Sequence, residues 1–386
     1  MPGSGAPKIE VNGLVKSFGS VVAVDHVSFK VDKGEVVGLL GPSGCGKTTV
    51  LRALAGLEDI TEGEILLDGK LVASTAKHIM VPPEKRRLGL VFQSYALWPH
   101  MTVHDNIAYC LHSRKLPKAE REKKINGALE LVGLADLAKR YPAQLSGGQQ
   151  QRIALARSLS YEPDVVLLDE PLSNLDMKVR ERMRGELRSL LKRLGLTSVF
   201  VTHDQEEAFV ISDRILLMNR GAVVQEGSPE QLYSEPANPF VVEFIGRANI
   251  FSAEFEEFTE GGHKARFRIP QMKAEFVCER PEEIPKDANQ VAIRFNEISI
   301  SRNPTRSANE VLGKVLAREY RGSVTDHRIQ VGDAQLVVTT HKFCASSESP
   351  TSTDIYVRFP PTAILPVAKA ASAAAKPALA VTARSP

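Results

Sequence analysis

The sequence predicts an α/β domain built on a parallel sheet and followed by a smaller all-β domain. Residues 35–40 have the pattern of a buried strand, and a glycine-rich turn joins them to a helical pattern at residues 49–56. Residues 165–168 and 198–202 are further short apolar runs, as expected for central parallel strands. Beyond about residue 246 helical periodicity ceases, and short runs typical of β-strands replace it.

Composition places the chain among ordinary globular proteins. Of its residues, 43% are hydrophobic and 25% are charged, which is usual for a globular protein. Its length of 386 residues predicts two domains or more. The net charge of +3 is too small to indicate nucleic-acid binding. The four cysteines, Cys45, Cys110, Cys278 and Cys344, lack C-x-x-C spacing, which argues against a zinc site or disulfide framework and favours a reducing cytosol.

The sequence predicts neither a secretory signal nor a membrane span. Residues 1–7 contain no apolar segment, and no run approaches the ~18 apolar residues that a membrane span requires. Work at a membrane would therefore require a partner protein.

Residues 41–49 fit the phosphate-binding pattern G-x-x-x-x-G-K-[ST], with Gly41, Gly46, Lys47 and Thr48 in the specified places. Glycines let successive backbone N–H groups surround a phosphate. Lys47 is expected on the β- and γ-phosphates, and the Thr48 hydroxyl on a bridging Mg²⁺. The rest of the predicted loop is Pro42, Ser43, Gly44, Cys45 and Thr49.

Strands are predicted on both sides of this loop. Runs within residues 8–37 predict strands, and residues 63–69 predict a strand closed by an Asp-Gly turn. Phe18 could stack on an adenine ring or belong to the core, and its spacing alone favours the core. A buried strand at residues 88–92 ends at Gln93, ahead of a loop at 94–101 that is rich in aromatic residues.

A helical pattern over residues 116–140 precedes the segment Leu-Ser-Gly-Gly-Gln at residues 145–149. Ser146 and Gln149 have capping-box spacing, which predicts that a helix starts here. Two interpretations stay open on local pattern. These residues only start a helix, or Gly147 and Gly148 expose its N-terminus so that it can hold an anion.

Polar residues follow two further buried strands. Asp169 and Glu170 end the strand at 165–168, and Pro171 predicts an extended Glu170. Adjacent carboxylates at a buried strand end are costly unless a cation or donor satisfies them, and Mg²⁺ would do so. His203 ends the strand at 198–202, and the recurrence of polar strand ends predicts one shared site.

The remaining patterns set the predicted domain limits. Residues 176–194 predict an amphipathic helix, and Asp204 with Glu207 predicts a capped helix start. We expect an α/β domain over 8–234, with its helical part at about 94–159, and a linker over 235–246. A β-barrel over 247–366 and a disordered Ala- and Pro-rich tail over 367–386 complete the prediction.

Taken together, these motifs resemble the ATP-binding subunits of ATP-binding cassette (ABC) transporters. The resemblance covers residues 8–246 and includes the segment Ser-Asn-Leu-Asp at 173–176. It implies a P-loop ATPase fold with an antiparallel β-subdomain and a helical subdomain. An OB-like β-domain would follow.

The resemblance also implies roles for single residues. Phe18 would stack on adenine, against the preference from its spacing, and Lys47 and Thr48 would hold phosphates and Mg²⁺. Gln93 and Asp169 would also serve the Mg²⁺ site. The catalytic roles fall to three residues: Glu170 as general base, His203 at the γ-phosphate, and Gln93 near the attacking water.

The family assembles head to tail, which implies a homodimer of ATPase subunits. Ser146, Gly147, Gly148 and Gln149 would close over ATP on the opposite protomer, with Asp176 at the interface. Two transmembrane permease subunits would be direct partners at the cytoplasmic face of a bacterial inner membrane, and a solute-binding protein an indirect one. No nucleic acid is expected.

The loop after Gln93 and the β-rich C-terminal region resemble importers of ferric iron, polyamines, sugars or glycerol phosphate. Within this group, the overall sequence of the ATP-binding domain most resembles the ferric-iron and polyamine importers. A soluble cassette ATPase acting on ribosomes or DNA is the alternative, although such relatives typically carry a second cassette or a long insertion. A third interpretation, compatible with import, makes the C-terminal barrel a ligand sensor.

Overall fold

The computed structural model describes residues 6–112, 116–259, 263–279, 288–305, 307–341 and 354–368. The chain forms two compact units that divide between Glu230 and Gln231. The predicted boundary at residue 234 falls a few residues later.

The first unit contains two sheets. Its strands are β1 (Ile9–Phe18), β2 (Val21–Val31), β3 (Val36–Leu40), β4 (Glu62–Leu67), β5 (Lys70–Ser74), β6 (Ile79–Met80), β7 (Leu88–Val91), β8 (Val165–Asp169), β9 (Thr197–Thr202), β10 (Arg214–Asn219) and β11 (Ala222–Gly227). Among the described residues, one sheet has the order β11-β10-β3-β9-β8-β7 and is parallel except for β11. The other has the order β2-β1-β4-β5-β6 and is antiparallel.

The Asp-Gly turn expected after the strand at residues 63–69 joins β4 to β5. Asp68 and Gly69 have φ values of 50° and 70°. Both lie in the left-handed region, as a two-residue hairpin turn of this kind requires.

Helices pack on the parallel sheet and form a separate helical subdomain. They are α1 (Lys47–Ala55), α2 (Val103–His112), α3 (Lys118–Leu131), α4 (Gly147–Leu159), α5 (Met177–Arg193) and α6 (Gln205–Ile211). Apolar side chains from α2, α3 and α4 share one buried cluster, which includes Ile107, Ile125 and Ile153.

The helix predicted over residues 116–140 is shorter in the structure. Helix α3 ends at Leu131 because Gly133 takes a left-handed φ of 68° and its N–H bonds to the Glu130 carbonyl. This geometry closes a helix end and redirects the chain. A short 3₁₀ turn at Ala135–Leu137 follows.

The second unit is built mainly from antiparallel strands. They are β12 (Ala248–Ser252), β13 (Glu254–Thr259), β14 (Lys264–Ile269), β15 (Ala274–Cys278), β16 (Ala288–Arg294), β17 (Ser299–Ser301), β18 (Glu310–Tyr320), β19 (Val324–Val331), β20 (Ala334–His341), β21 (Asp354–Arg358) and β22 (Leu365–Ala368). They form sheets with the orders β12-β16-β22, β13-β14-β15 and β17-β21-β18-β19-β20. These sheets surround an apolar core that includes Phe267, Phe276 and Phe359.

Two boundary predictions differ from the structure. The segment 235–246, expected as a linker, contains α8 (Pro239–Phe244), capped by Asn238, after α7 (Pro229–Ser234). The segment expected as a tail from residue 367 begins inside β22, because Gln290 of β16 pairs with Val367. Residues 369–386 lie outside the described residues.

Arg294 anchors this predicted linker within the second unit. Its side chain is 1% exposed and donates to the carbonyls of Val242 (2.7 Å), Ile245 and Tyr233 (3.1 Å). Its guanidinium also lies 4.5 Å from the centre of the Tyr233 ring. Burial lowers the pKa of Arg294. The carbonyls at the ends of α7 and α8 are therefore satisfied by one arginine.

No helix among the described residues is long and apolar enough to span a membrane.

The substitution Arg294→Met is expected to destabilise the second unit by about 3 kcal/mol, because it leaves buried carbonyl groups without donors. Urea unfolding of the full chain, followed by circular dichroism, measures the loss. Arg358→Met, at an exposed position of β21, is the matched control and should be nearly neutral. Equal stability of the two variants would contradict the anchoring role.

Candidate functional site

The polar residues predicted at strand ends meet at the carboxyl edge of the parallel sheet. Strands β3, β9, β8 and β7 are direct neighbours in that order. Their carboxyl ends lead into the glycine-rich loop after Leu40, His203, the pair Asp169 and Glu170, and Gln93 respectively. The shared site expected from the strand patterns is therefore assembled by the fold.

The glycine-rich loop leaves no room for a side chain at Gly41 or Gly46, the two glycines of the phosphate-binding pattern. Gly46 has a φ of 102°, and a Cβ there would lie 2.4 Å from the Ala23 carbonyl oxygen. A Cβ at Gly41 would lie 2.2 Å from the Met218 carbonyl oxygen. Any larger residue at either position would displace the backbone of a neighbouring strand or turn.

Lys47 opens α1 and its ammonium group reaches back over the loop. The side chain is 5% exposed. Nζ donates to the carbonyl oxygens of Gly41 (2.8 Å) and Pro42 (2.9 Å) and lies 3.6 Å from the Cys45 sulfur. The structure thus places a buried positive charge at the mouth of a loop whose backbone N–H groups suit an anion.

Asp169 lies beside Thr48. The Thr48 hydroxyl donates to Asp169 Oδ1 at 3.4 Å, and Asp169 is 8% exposed. Burial raises the pKa of Asp169, while Arg52 and Thr48 oppose that shift. A buried carboxylate next to a hydroxyl provides the hard oxygen ligands that Mg²⁺ prefers.

Glu170 does not take the extended conformation predicted from Pro171. Its φ is 44°, in the left-handed region. The backbone N–H and the hydroxyl of Ser173 both donate to the Glu170 carbonyl, at 3.2 and 3.0 Å. This turn overrides the local preference before proline, and such strained backbone is often found at functional sites.

The Glu170 carboxylate is held between two of the predicted residues. Gln93 Nε2 donates to Oε2 at 2.8 Å, and His203 Nδ1 lies 3.2 Å from Oε1. Asn174, for which the sequence predicts no role, donates a hydrogen bond to the Gln93 carbonyl at 2.7 Å. Its only sequence signal was its place in the segment 173–176.

The helix start at Ser146 is confirmed. Ser146 Oγ accepts from the Gln149 N–H and Gln149 Oε1 accepts from the Ser146 N–H, which completes a capping box. A Cβ at Gly147 would lie 2.8 Å from Leu175, so this helix start adjoins the turn that ends at Asp176. Asp176 caps α5 by accepting from the Val179 N–H.

Among the described residues, no hydrogen bond or ion pair joins residues 146–149 to residues 41–49.

Phe18 ends β1 and is half-exposed, with Lys16 Nζ 4.7 Å from its ring centre. Its exposure contradicts the core interpretation that spacing alone favoured.

Arg157 holds the aromatic loop after Gln93. Tyr95 and Ala96 have consecutive positive φ values, 61° and 47°, which cost energy at non-glycine residues. Arg157 on α4 donates to both of their carbonyls, at 2.8 and 2.6 Å, and its guanidinium lies 4.9 Å from the Trp98 ring centre. No local sequence signal marks Arg157, because its partners lie about sixty positions earlier.

The fold and site define a class of protein, a P-loop nucleoside triphosphatase with a helical subdomain inserted between two strands of its parallel sheet. Comparison with known proteins specifies the family. The family described as ABC transporter matches residues 24–173. The chain belongs to the ATP-binding subunits of ABC transporters, which are ATPases.

Individual relatives agree. The spermidine/putrescine import ATP-binding protein PotA of Aggregatibacter actinomycetemcomitans is 44% identical over 328 residues, covering 84% of this chain and 85% of the relative. The Fe(3+) ions import ATP-binding protein FbpC of Agrobacterium fabrum is 43% identical over 327 residues, covering 85% and 89%. The structure of cbiO1 from Clostridium perfringens, described as part of the ABC transporter complex cbiONQ, matches with a TM-score of 0.55 and 29% identity, covering 60% of this chain and 92% of that one.

The raised pKa of Asp169 predicts a cost to stability. A folded pKa above the unfolded value means that stability falls as pH rises from the unfolded value near 4 through the folded value. Asp169→Asn should therefore raise the thermal midpoint of the nucleotide-free protein at neutral pH, measured with a chelator present. The gain should shrink toward acid pH. Asp136→Asn, at an exposed site, is the control, and equal midpoints for the two variants at neutral pH would refute the prediction.

Proposed function

We propose that this chain hydrolyses ATP as the energy-coupling subunit of a solute importer, at the cytoplasmic face of a bacterial inner membrane. The observation that carries the proposal is the Glu170 carboxylate, fixed between Gln93 and His203 at the sheet edge that also bears Lys47 and Asp169. The names of the relatives, import ATP-binding proteins, support the transport part.

The phosphates of ATP would lie in the loop formed by residues 41–49. Its backbone N–H groups and the Lys47 ammonium would stabilise the negative charge, and the dipole of α1 adds to that stabilisation. Phe18 is exposed and free to stack on an adenine ring. The neighbouring Lys16 already pairs with Glu58 at 2.7 Å, so it is partly neutralised.

The site also fits Mg²⁺. Thr48 and Asp169 would hold it, with the amide oxygen of Gln93 as a further ligand. When bound, the ion neutralises charge that develops on the phosphates. Its binding would also offset the cost of burying the Asp169 carboxylate.

Glu170 is the proposed general base for the attacking water. One carboxylate oxygen faces Gln93 and the other faces His203, so both side chains orient it. Gln93 would help position the water, and His203 would contact the γ-phosphate. Such positioning by hydrogen bonds supplies much of the catalysis in phosphoryl transfer.

The helix start at Ser146 supports a head-to-tail homodimer. The capped N-terminus of α4 consists of Ser146, Gly147, Gly148 and Gln149, of which Ser146 is exposed and Gly148 is buried. A helix N-terminus of this kind suits an anion. Among the described residues it forms no hydrogen bond or ion pair with the phosphate-binding loop of its own chain, which leaves it available to ATP on a second copy. Asp176, in the adjoining turn, would lie at the same interface.

The aromatic loop after Gln93 is the proposed contact for the permease subunits. Tyr109 is half-exposed and its ring centre lies 4.3 Å from that of Trp98. Arg157 fixes this loop to α4, the helix that begins at Ser146. Nucleotide-dependent movement of Gln93 or of α4 would thus reach the permease directly.

A polyamine or ferric iron is the proposed solute, reached through a solute-binding protein. Relatives named for each of these solutes have nearly the same identity to this chain, so they favour neither. Sugars and glycerol phosphate remain alternatives from the resemblance. No role for nucleic acid is proposed, and the alternative function, that of a soluble cassette ATPase acting on ribosomes or DNA, is not favoured.

Glu170→Gln should retain ATP binding, lose at least about a hundredfold in turnover and accumulate as a dimer with ATP, because water activation is lost. Phosphate release and size-exclusion chromatography measure these effects. Glu181→Gln, an exposed position on α5, is the matched control and should hydrolyse normally. A Glu170→Gln protein with near wild-type turnover would exclude the general-base role.

The transport role is tested by affinity purification of the tagged chain from detergent-solubilised membranes of its source cell. Mass spectrometry should identify a multi-span permease and a solute-binding protein. That binding protein is then screened with polyamines and ferric iron. Recovery of ribosomal or DNA-associated proteins without a permease would overturn transport and leave the ATPase site standing.

A further inference from the structure

A cavity of about 680 Å³ lies in the first unit, away from the nucleotide site. It is bounded by the end of α3, the middle of α4 and the part of α5 from Arg182 to Arg193. None of the residues assigned to ATP, Mg²⁺ or catalysis lines it. Its volume is in the range of pockets that hold small organic molecules.

The cavity has an apolar floor. Leu155 of α4 and Met183 and Leu187 of α5 line it, and each is nine-tenths or more buried. These side chains would cover an aliphatic or aromatic body of a ligand. Removing apolar area from water here would contribute about 25 cal/mol for each Å² buried.

The rim is charged, with an excess of positive groups. Arg152, Arg182 and Arg193 line it against two carboxylates, Glu130 and Glu186. Arg152 and Arg182 share the Glu186 carboxylate. Arg193 donates to the Leu131 carbonyl at 3.3 Å and forms no ion pair with the described residues. A ligand anion would supply the missing counter-charge.

We propose that this cavity binds a small amphipathic molecule that carries an apolar body and a carboxylate or phosphate. The apolar body lies on Leu155, Met183 and Leu187, and the anion reaches Arg193. The bound molecule contacts the helices that begin at Ser146 and Asp176. It therefore has a route to the nucleotide site without occupying it, and its binding does not depend on the proposed ATPase role.

The chain offers a way to fill the cavity without disturbing its walls. Gly185 lies on α5 and lines the cavity, and a Cβ built there has no atom within 4 Å. A large side chain at this position would project into open space. Because glycine is a poor helix former, substitution here should not weaken α5.

The test is isothermal titration of the full-length protein with N-octanoylglycine, which carries an acyl chain, an amide N–H and a carboxylate. The wild type and Gly185→Ala should bind it alike, while Gly185→Trp should bind at least about tenfold more weakly, a difference of about 1.4 kcal/mol. Thermal unfolding confirms that all three are folded. Absence of binding to the wild type, or equal binding to Gly185→Trp, would overturn the site.

A further probe tests the chemistry. The methyl ester of N-octanoylglycine lacks the anion, so it should bind more weakly than the parent. Arg193→Gln should reduce binding of the acid and leave binding of the ester unchanged. Equal affinity for the acid and the ester would reject the proposed anion recognition.

Discussion

The first unit depends on the placing of two adjacent carboxylates, Asp169 and Glu170, at the end of a strand buried within a parallel sheet. Charge at such a position is costly unless groups from other strands offset it. Thr48 reaches Asp169 from the glycine-rich loop, and Gln93 and His203 reach Glu170 from strands on either side of β8. Sheet order therefore sets the chemistry, because each donor comes from a loop at the carboxyl edge.

Helix α4 connects three regions that the sequence presents separately. Its first turn, capped by Ser146, adjoins the turn before Asp176. Near its other end, Arg157 donates hydrogen bonds to the carbonyls of Tyr95 and Ala96, two residues of the aromatic loop whose backbone is strained. Between them, Gln151 and Leu155 line the cavity with α5. A rigid helix with contacts at both ends and along one side can transmit a displacement from any one of these regions to the others.

In the second unit, carbonyl groups near the ends of the short helices α7 and α8 need hydrogen-bond donors. Arg294 supplies these donors with a guanidinium buried against Tyr233, at the cost of desolvating its charge. Several carbonyls converge on one planar group with five donors, which lysine could not match. Arg294 thus fixes residues 233–245 to β16, and the packing of Val242 against Ala292 and Leu365 adds to this attachment.

The sequence by itself determined the phosphate-binding loop, the apolar runs that form the central parallel strands, the polar residues at their ends, the caps at Ser146 and Asp204, and the change to β-structure in the second unit. These features depend on local patterns of apolar, glycine and capping residues. Only the tertiary structure decided the left-handed φ of Glu170, the support of Gln93 by Asn174, the roles of Arg157 and Arg294, the helix within the predicted linker, and the cavity beside α5. The physical reason is that each of these depends on partners far away in sequence, which a local pattern does not specify. The carbonyls that Arg157 binds lie in a loop about sixty residues earlier. Those that Arg294 binds belong to helices some fifty residues earlier.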